Sequence, residues 1–305
     1  MIPHLEPLEA WIVDETGWLK QGQHSVGVSH QYCGAVGKQA NCRVSVELAV
    51  SDGWVAAPLG GQLYLPQSWT QDRERCTQVG VPEEVPFRSK PELGLELIRQ
   101  ALDDGVPPAP VLGDCVYGDS PEFREGVRQL GMEFFCKRVA NTRLGPIPSR
   151  PNESGYGAMS PREFHLAWCE VYLQHKLREG DDDLERVWLV VDWPAGEAEP
   201  YHYVLAHFHQ PPRRARCLRL SRSRWHIEQY FQRSKDDLGL DHFEGRTWRG
   251  FHHHLVLSAL AYLFILTRYV RTKKNFGCDV GTDSASDPSL AGEEDRILQL
   301  LRNQI

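Results

Sequence analysis

Two short apolar runs in the first half of the chain each stop at an aspartate. Residues 10–13 are followed by Asp14, and residues 110–113 are followed by Asp114. A short apolar run bounded by turn-forming residues is typical of a buried strand. The pattern therefore predicts two buried strands, each of which ends directly before an acidic side chain.

The remaining pattern up to residue 137 predicts an α/β fold. Consecutive strands after Asp14 favour an antiparallel meander, and the helices that follow indicate a mixed sheet flanked by helices. Pro121 lies at the first position of one predicted helix, where its missing N–H is tolerated. The further predicted strands are residues 25–28, 43–50, 62–65 and 133–136, and the predicted helices are residues 91–103 and 120–130.

The pattern changes after residue 137. Residues 138–212 begin rich in proline, glycine and asparagine and then predict strands, so we interpret them as a β-rich insertion. The elements predicted from here on are strands at residues 187–191 and 201–208, helices at 221–240 and 251–271, and a short amphipathic helix at 296–301. The predicted divisions are the first part of a core (1–137), the insertion (138–212), the C-terminal helices of the core (213–272) and a flexible acidic tail (273–305).

The charge of the chain is unevenly distributed. The net charge is −7, which by itself argues against nucleic acid as a partner. Residues 213–249, however, contain ten Lys and Arg residues against five Asp and Glu residues. A local basic stripe matters more for phosphate contacts than the sum over the chain.

Cysteine spacing and hydropathy predict a cytoplasmic protein. The eight cysteines form no CxxC pair, so we expect free thiols rather than a zinc site. The N-terminus has no basic flank followed by an apolar segment, so no signal peptide is predicted. The longest apolar run, residues 255–266, is about 12 residues long. That is too short to span a bilayer, so the run predicts a buried helix and no membrane contact.

The two strand-end aspartates are candidates for metal ligands. If their strands are neighbours in one sheet, both carboxylates project from the same edge. Mg²⁺ prefers such oxygen ligands and is usually held by few protein carboxylates together with substrate phosphate. An aspartate at a strand end is also a common turn residue, so neither position alone establishes a site.

A third carboxylate lies on the predicted helix over residues 221–240. On an α-helix, Arg224 is about 40° and Lys235 about 20° around the axis from Glu228. One helix face thus carries a cation, a carboxylate and a cation in line. The simpler interpretation is an exposed salt-bridge ladder, but this face continues into the basic stripe.

Taken together, these residues resemble the DDE transposases of bacterial insertion sequences, in the group with a Tyr-x2-Arg-x3-Glu-x6-Lys signature. Arg224, Glu228 and Lys235 have that spacing, whereas Ser221 occupies the tyrosine position. Further similar blocks are residues 14–17, 22–28, 31–34, 37–42, 113–119, 239–246 and 250–254. The resemblance covers roughly residues 10–270, and the blocks around the three acidic residues occur in the expected order.

The resemblance implies an RNase H-like fold with a β-rich insertion before the third catalytic residue. It also implies Mg²⁺ or Mn²⁺, as two ions held by Asp14, Asp114 and Glu228, and cut-and-paste transfer of DNA by two protomers on two transposon ends. Asp114 is preferred to Asp119 because it directly follows the strand. The side chains expected to contact DNA, at transposon ends and target, are Arg224, Arg233, Lys235, Arg246 and His254.

The sequence departs from the family at its beginning. Asp14 lies almost at the start, so the chain is expected to lack the usual N-terminal region that helps to bind DNA. Two alternatives to an active transposase therefore stay open. One is an inactive, truncated relic that still binds DNA, and the other is a structure-selective nuclease on the same fold.

Overall fold

A mixed β-sheet runs through the computed structural model, which describes residues 7–138, 153–156, 163–173, 185–194 and 202–275. The strands are β1 (Ala10–Leu19), β2 (Ser29–Cys33), β3 (Lys38–Ser51), β4 (Ala56–Tyr64), β5 (Val111–Gly113), β6 (Phe134–Arg138), β7 (Glu153–Tyr156), β8 (Glu163–Leu173), β9 (Glu185–Pro194) and β10 (His202–His207). The helices are α1 (Gln67–Thr70), α2 (Arg73–Gln78), α3 (Lys90–Asp103), α4 (Cys115–Gly118), α5 (Pro121–Gln129), α6 (Arg214–Ser223), α7 (Trp225–Asp236) and α8 (Trp248–Asn275).

The described strands form one sheet in the order β2-β3-β1-β5-β6-β10-β9-β8-β7, with β4 also paired to β3. β1, β5 and β6 are parallel to one another, and the other pairings are antiparallel. The predicted meander is present, because β3 pairs with both β2 and β4. This mixed sheet with flanking helices confirms the predicted α/β, RNase H-like fold.

Two strand boundaries differ from the prediction. The expectation that the first strand ends at Asp14 is wrong, since β1 continues to Leu19 and pairs with β3 along its whole length. The partner strand, distant in sequence, supplies hydrogen bonds beyond the acidic residue. The strand predicted at residues 25–28 is also wrong. Gly27 there has φ +73°, a left-handed conformation that starts a turn rather than a strand.

The predicted helices over residues 91–103 and 120–130 are confirmed as α3 and α5. Ser89 and Glu92 form a reciprocal capping box at the start of α3, and Ser120 caps α5 directly before Pro121. The predicted helix at residues 221–240 begins earlier, at Arg214, and is interrupted at Arg224. The helices α1 and α2 were not predicted.

The β-rich region is joined to the core by strand pairing. β10 pairs with β6, and β9 pairs with β10, so the two strands predicted at residues 187–191 and 201–208 are present and extend the same sheet. A buried ion pair adds a side-chain link, because Arg124 of α5 contacts Glu185 of β9 at 2.6 Å. The predicted tail elements after residue 275 lie outside the described residues.

Helix α8 is buried on one face only. Phe251, Leu255 and Tyr262 pack inward, whereas Leu257 and Leu260 are exposed. The expectation of a buried helix is therefore wrong for the outer face. Residues Trp248–Tyr269 are long and apolar enough to cross a membrane by length and composition alone. The apolar stretch of this helix is thus longer than the run of residues 255–266, from which no membrane contact was predicted.

Candidate active site

Strand register brings three polar side chains to the same level of the sheet. Ile12 of β1 pairs with Leu112 of β5, so Asp14 and Asp114 each lie two residues further along parallel strands. Gly113 pairs with Cys136 of β6, so Asp114 and Lys137 each lie one residue further. Because β1, β5 and β6 are adjacent and parallel, these two carboxylates and this ammonium group meet at one edge.

Asp14 is a buried carboxylate with a cationic partner. Its Oδ2 lies 3.0 Å from Nη1 of Arg224, and its Oδ1 accepts a hydrogen bond of 2.8 Å from the backbone N–H of Glu15. Burial raises the pKa of Asp14 to about 7. Arg224 opposes that shift, whereas the negative charge of Asp114 adds to it. The carboxylates of Asp14 and Asp114 therefore interact electrostatically.

Asp114 is held by the short helix that follows it. Its Oδ1 accepts a hydrogen bond of 2.9 Å from the backbone N–H of Val116, as the N-cap of α4. A Cβ atom at Gly118 would lie 1.8 Å from the carbonyl oxygen of Lys137. Only glycine allows this close approach of α4 to β6, which fixes the turn carrying Asp114.

Glu228 is brought to Asp14 by Arg224. Arg224 lies at the junction where α6 ends and α7 begins. Its Nη2 contacts Oε1 of Glu228, four residues further on, while its Nη1 contacts Asp14. The side chain of Glu228 is 46% exposed. One guanidinium therefore lies between two of the predicted metal ligands.

The donor set fits a hard divalent cation. Carboxylate oxygens from three separate elements are the ligands that Mg²⁺ prefers, and the guanidinium of Arg224 already neutralises two of them. Within the described residues no group of three or more His, Cys, Asp or Glu side chains is arranged to hold a metal ion as the side chains stand. The role of Asp14, Asp114 and Glu228 as ligands stays a prediction, and it requires Arg224 to move.

The other predicted DNA-contacting residues are placed differently from one another. Lys235 is partly buried and donates a hydrogen bond of 3.2 Å to the backbone oxygen of Gly17, while Arg233 is exposed. Nε2 of His254 lies 3.0 Å from the carbonyl oxygens of Gly239 and Leu240. A phosphate contact through Nε2 would have to replace these hydrogen bonds, whereas one through Nδ1 would not, so the DNA contact of His254 stays a prediction.

Arg246 lies at a separate place, towards the far end of β1. It is exposed and lines a cavity of about 730 Å³ together with Lys20, His24 and Asn41. Lys20 follows Asp14 by six residues, a distance of about 20 Å along a strand. This cavity is therefore distinct from the carboxylate cluster.

Lys137 was missed by the sequence analysis. Burial lowers its pKa, the positive charge of Arg224 lowers it further, and Glu228 and Asp114 raise it. It is therefore within electrostatic reach of both carboxylates. A weak signal was present, because Lys137 follows the apolar strand residues 134–136 much as Asp114 follows residues 111–113.

The buried carboxyl group of Glu47, on β3, contacts α7. Glu47 pairs with Asp14 across β3 and β1, so both side chains face α7. Glu47 accepts hydrogen bonds from Tyr230 of α7 at 2.8 Å and from Ser45 at 3.0 Å. Burial raises the pKa of Glu47 to about 7, although both hydrogen bonds act against the shift. Sequence patterns did not identify this network, because its partners come from distant elements.

Acidic side chains from β1, the end of β5 and α7 thus lie on one RNase H-like sheet. The chain belongs to the DDE superfamily of endonucleases and transposases. Residues 1–174 match the family described as DDE superfamily endonuclease, and residues 88–264 match the family described as transposase DDE domain. Each match covers more than half of the chain, and together they confirm the resemblance found in the sequence motifs.

A named relative is similar over part of this chain. A probable transposase for the insertion sequence element IS701 of Microchaete diplosiphon is 31% identical over 138 residues. The aligned residues are 45% of this chain and 33% of that relative. The chain is thus matched to about a third of the length of this transposase.

Proposed function

We propose that this protein is the catalytic core of an insertion-sequence transposase, which cleaves DNA at the ends of the element and joins them to a target. Asp14, Asp114 and Glu228 hold two divalent metal ions in this proposal. The observation that carries it is the shared contact of Arg224 with Asp14 and Glu228, combined with the effect of the Asp114 charge on Asp14.

The chain's own residues have separate tasks in this proposal. Mg²⁺ or Mn²⁺, when bound, would activate the attacking oxygen and stabilise the leaving oxygen at the phosphorus. Asp14 must give up its proton, and Arg224 must release both carboxylates. Once released, the guanidinium of Arg224 is free to bind a phosphate oxygen beside the site. Glu228, which is exposed, provides the most accessible carboxylate.

DNA contacts in this proposal come from the basic stripe rather than from the net charge. Arg233 and Arg246 are exposed and suited to phosphate contacts. Since such contacts carry little sequence information, we expect weak sequence preference and an affinity that falls steeply with salt. Two copies would act together on two DNA ends, in the bacterial cytoplasm.

The test uses a plasmid that carries the DNA flanking this reading frame on both sides. In Mg²⁺ or Mn²⁺, the protein should cleave this plasmid, and Asp14→Ala, Asp114→Ala and Glu228→Ala should each abolish cleavage. The matched control is Glu83→Ala, because Glu83 is exposed and lies outside the site. DNA affinity should be largely retained in all four variants, since the cations remain.

A second measurement separates this function from the alternatives. Joining of an oligonucleotide with a free 3′-OH to the plasmid is expected of a transposase and not of a structure-selective nuclease. Calorimetric titration with Mn²⁺ separates an active site from a relic that only binds DNA. Cleavage by all three carboxylate variants at the rate of Glu83→Ala would refute the assignment of the site.

A further inference from the structure

Lys137 lies beside Asp114 at one edge of the sheet, and its side chain contacts a residue of the β-rich region. Its Nζ lies 3.3 Å from Nε2 of His202, which is on β10. On its other side, Nδ1 of His202 lies 3.8 Å from Oδ2 of Asp192 on β9. His202 and Asp192 are also paired residues of these two antiparallel strands. A polar row therefore runs from β9 through β10 to the lysine beside Asp114.

The row defines the proton positions on His202. An ammonium group can only donate hydrogen bonds, so Nε2 of His202 accepts the one from Lys137. The ring proton is then on Nδ1, which faces the carboxylate of Asp192. An imidazole carries no negative charge, so His202 orients the lysine without cancelling its charge.

The cations around the site differ in how they are compensated. Arg224 is paired with Asp14 and Glu228, and Lys235 donates to the carbonyl oxygen of Gly17. Lys137, in contrast, has no carboxylate within ion-pair distance among the described residues, and its side-chain partner is the imidazole of His202. A partly buried charge without a counter-ion is costly, and a bound anion would remove that cost.

We propose that Lys137, positioned by His202 and Asp192, binds a DNA phosphate next to the one that is cleaved. The proposal rests on the proposed function, since it takes the carboxylate cluster as the place of cleavage. Because Lys137 and Asp114 lie side by side at the ends of adjacent parallel strands, the ammonium group is at the same edge of the sheet as the carboxylate cluster. The strands β9 and β10 thereby contribute to substrate binding and not only to the extent of the sheet.

The experiment measures DNA binding and cleavage separately. Binding of a fluorescent DNA duplex is followed by anisotropy over a series of NaCl concentrations, with Ca²⁺ in place of Mg²⁺. Wild type is compared with Lys137→Met, Lys137→Gln and Lys137→Arg. The control is Arg99→Met, because Arg99 is exposed on α3. This helix packs on the other face of the sheet, where Gly94 approaches Val13 rather than Asp14.

Lys137→Met and Lys137→Gln should lower the slope of log affinity against log salt by about one, as expected for the loss of one phosphate contact. Arg99→Met and Lys137→Arg should leave the slope unchanged. His202→Phe keeps the lysine charge but not its orientation, so it should reduce cleavage in Mg²⁺ at least tenfold while the slope is retained. Unchanged slopes in both Lys137→Met and Lys137→Gln would overturn the proposal.

The binding and cleavage measurements test the role of Lys137 and the proposed function separately. The binding arm does not depend on cleavage, so the salt slopes of the Lys137 variants decide the role of that residue by themselves. A wild-type protein that binds the duplex and does not cleave DNA in Mg²⁺ or Mn²⁺ would contradict the proposed function. Cleavage by wild type together with unchanged salt slopes would contradict the role of Lys137 alone.

Discussion

Arg224 contacts Asp14 and Glu228 at the same time, with its Nη1 at 3.0 Å from Oδ2 of Asp14. The two carboxylates come from β1 and α7, and the guanidinium joins them at the point where α6 gives way to α7. A cation is thus already present between two predicted metal ligands. In the proposed metal-bound state this ion pair must open, so we expect Arg224 to influence metal affinity directly.

Replacing Arg224 with Gln should tighten metal binding and weaken catalysis. The variant removes the cation that competes for Asp14 and Glu228, so we expect a gain in Mn²⁺ affinity of up to about tenfold, equivalent to about 1.4 kcal/mol. Cleavage should fall, because the guanidinium is no longer available for phosphate. Calorimetric titration and a cleavage assay measure the two effects.

The control for Arg224→Gln is Arg219→Gln. Arg219 also lies on α6 and forms an ion pair of 3.0 Å with a carboxylate, that of Glu9, but away from the predicted ligands. Its loss should leave Mn²⁺ affinity unchanged. Equal Mn²⁺ affinities in wild type and Arg224→Gln would show that the guanidinium does not compete with metal.

Glu47 should make the stability of the protein depend on pH. Its pKa is raised from 4.5 to about 7 in the folded state, so folding favours the protonated carboxyl group. The corresponding stability is fully present below pH 4.5, the unfolded value, and is lost as the pH rises through about 7. At about 1.4 kcal/mol per pKa unit, the upper limit of the loss is about 3 kcal/mol.

The variant Glu47→Gln should remove this pH dependence. Its amide is neutral at every pH and can still accept the hydrogen bond from Tyr230. The stability of the variant relative to wild type should therefore increase between pH 5 and pH 8. Melting temperatures over this range provide the measurement, with Glu83→Gln as an exposed control. A difference in melting temperature between wild type and Glu47→Gln that stays constant over this pH range would contradict the assigned environment of this carboxyl group.

Gly118→Ala should disturb the turn that carries Asp114. The added Cβ atom would lie 1.8 Å from the carbonyl oxygen of Lys137, so α4 must move away from β6. We expect a loss of about 2 kcal/mol or more in the free energy of unfolding, as for other overpacked sites, together with reduced cleavage. Denaturant unfolding measures the first effect.

Gly34→Ala is the matched control for that substitution. A Cβ atom at Gly34 meets nothing within 4 Å, so the change should alter stability by less than about 1 kcal/mol. Similar unfolding free energies for Gly118→Ala and Gly34→Ala would mean that α4 can shift without cost.

The local features of this fold could be predicted from the sequence. Asp114 was correctly placed directly after its strand, and the α3 and α5 helices were correctly predicted, because caps and apolar periodicity act over a few residues. The spacing of Arg224 and Glu228 likewise predicted that they could pair across one turn of helix. The class of protein followed from motif blocks, each of which is short and continuous.

The parts that were missed depend on partners far away in the chain. β1 continues past Asp14 because β3 pairs with it up to Leu19, and no local pattern contains that information. Lys137 joins the site only through the register of β6 on β5. Similarly, Lys235 has the predicted spacing from Glu228, but its ammonium group donates to Gly17 on β1.

The pairing of β10 with β6 limits how the protein can be shortened. Five residue pairs join these strands, from Tyr203 with Arg138 to His207 with Phe134. Removing residues 138–212 would turn β6 into an edge strand with unpaired N–H and C=O groups, a template for aggregation. Changes in length are better accommodated near β7 and β8, at the outer edge of the sheet, where β6 stays covered.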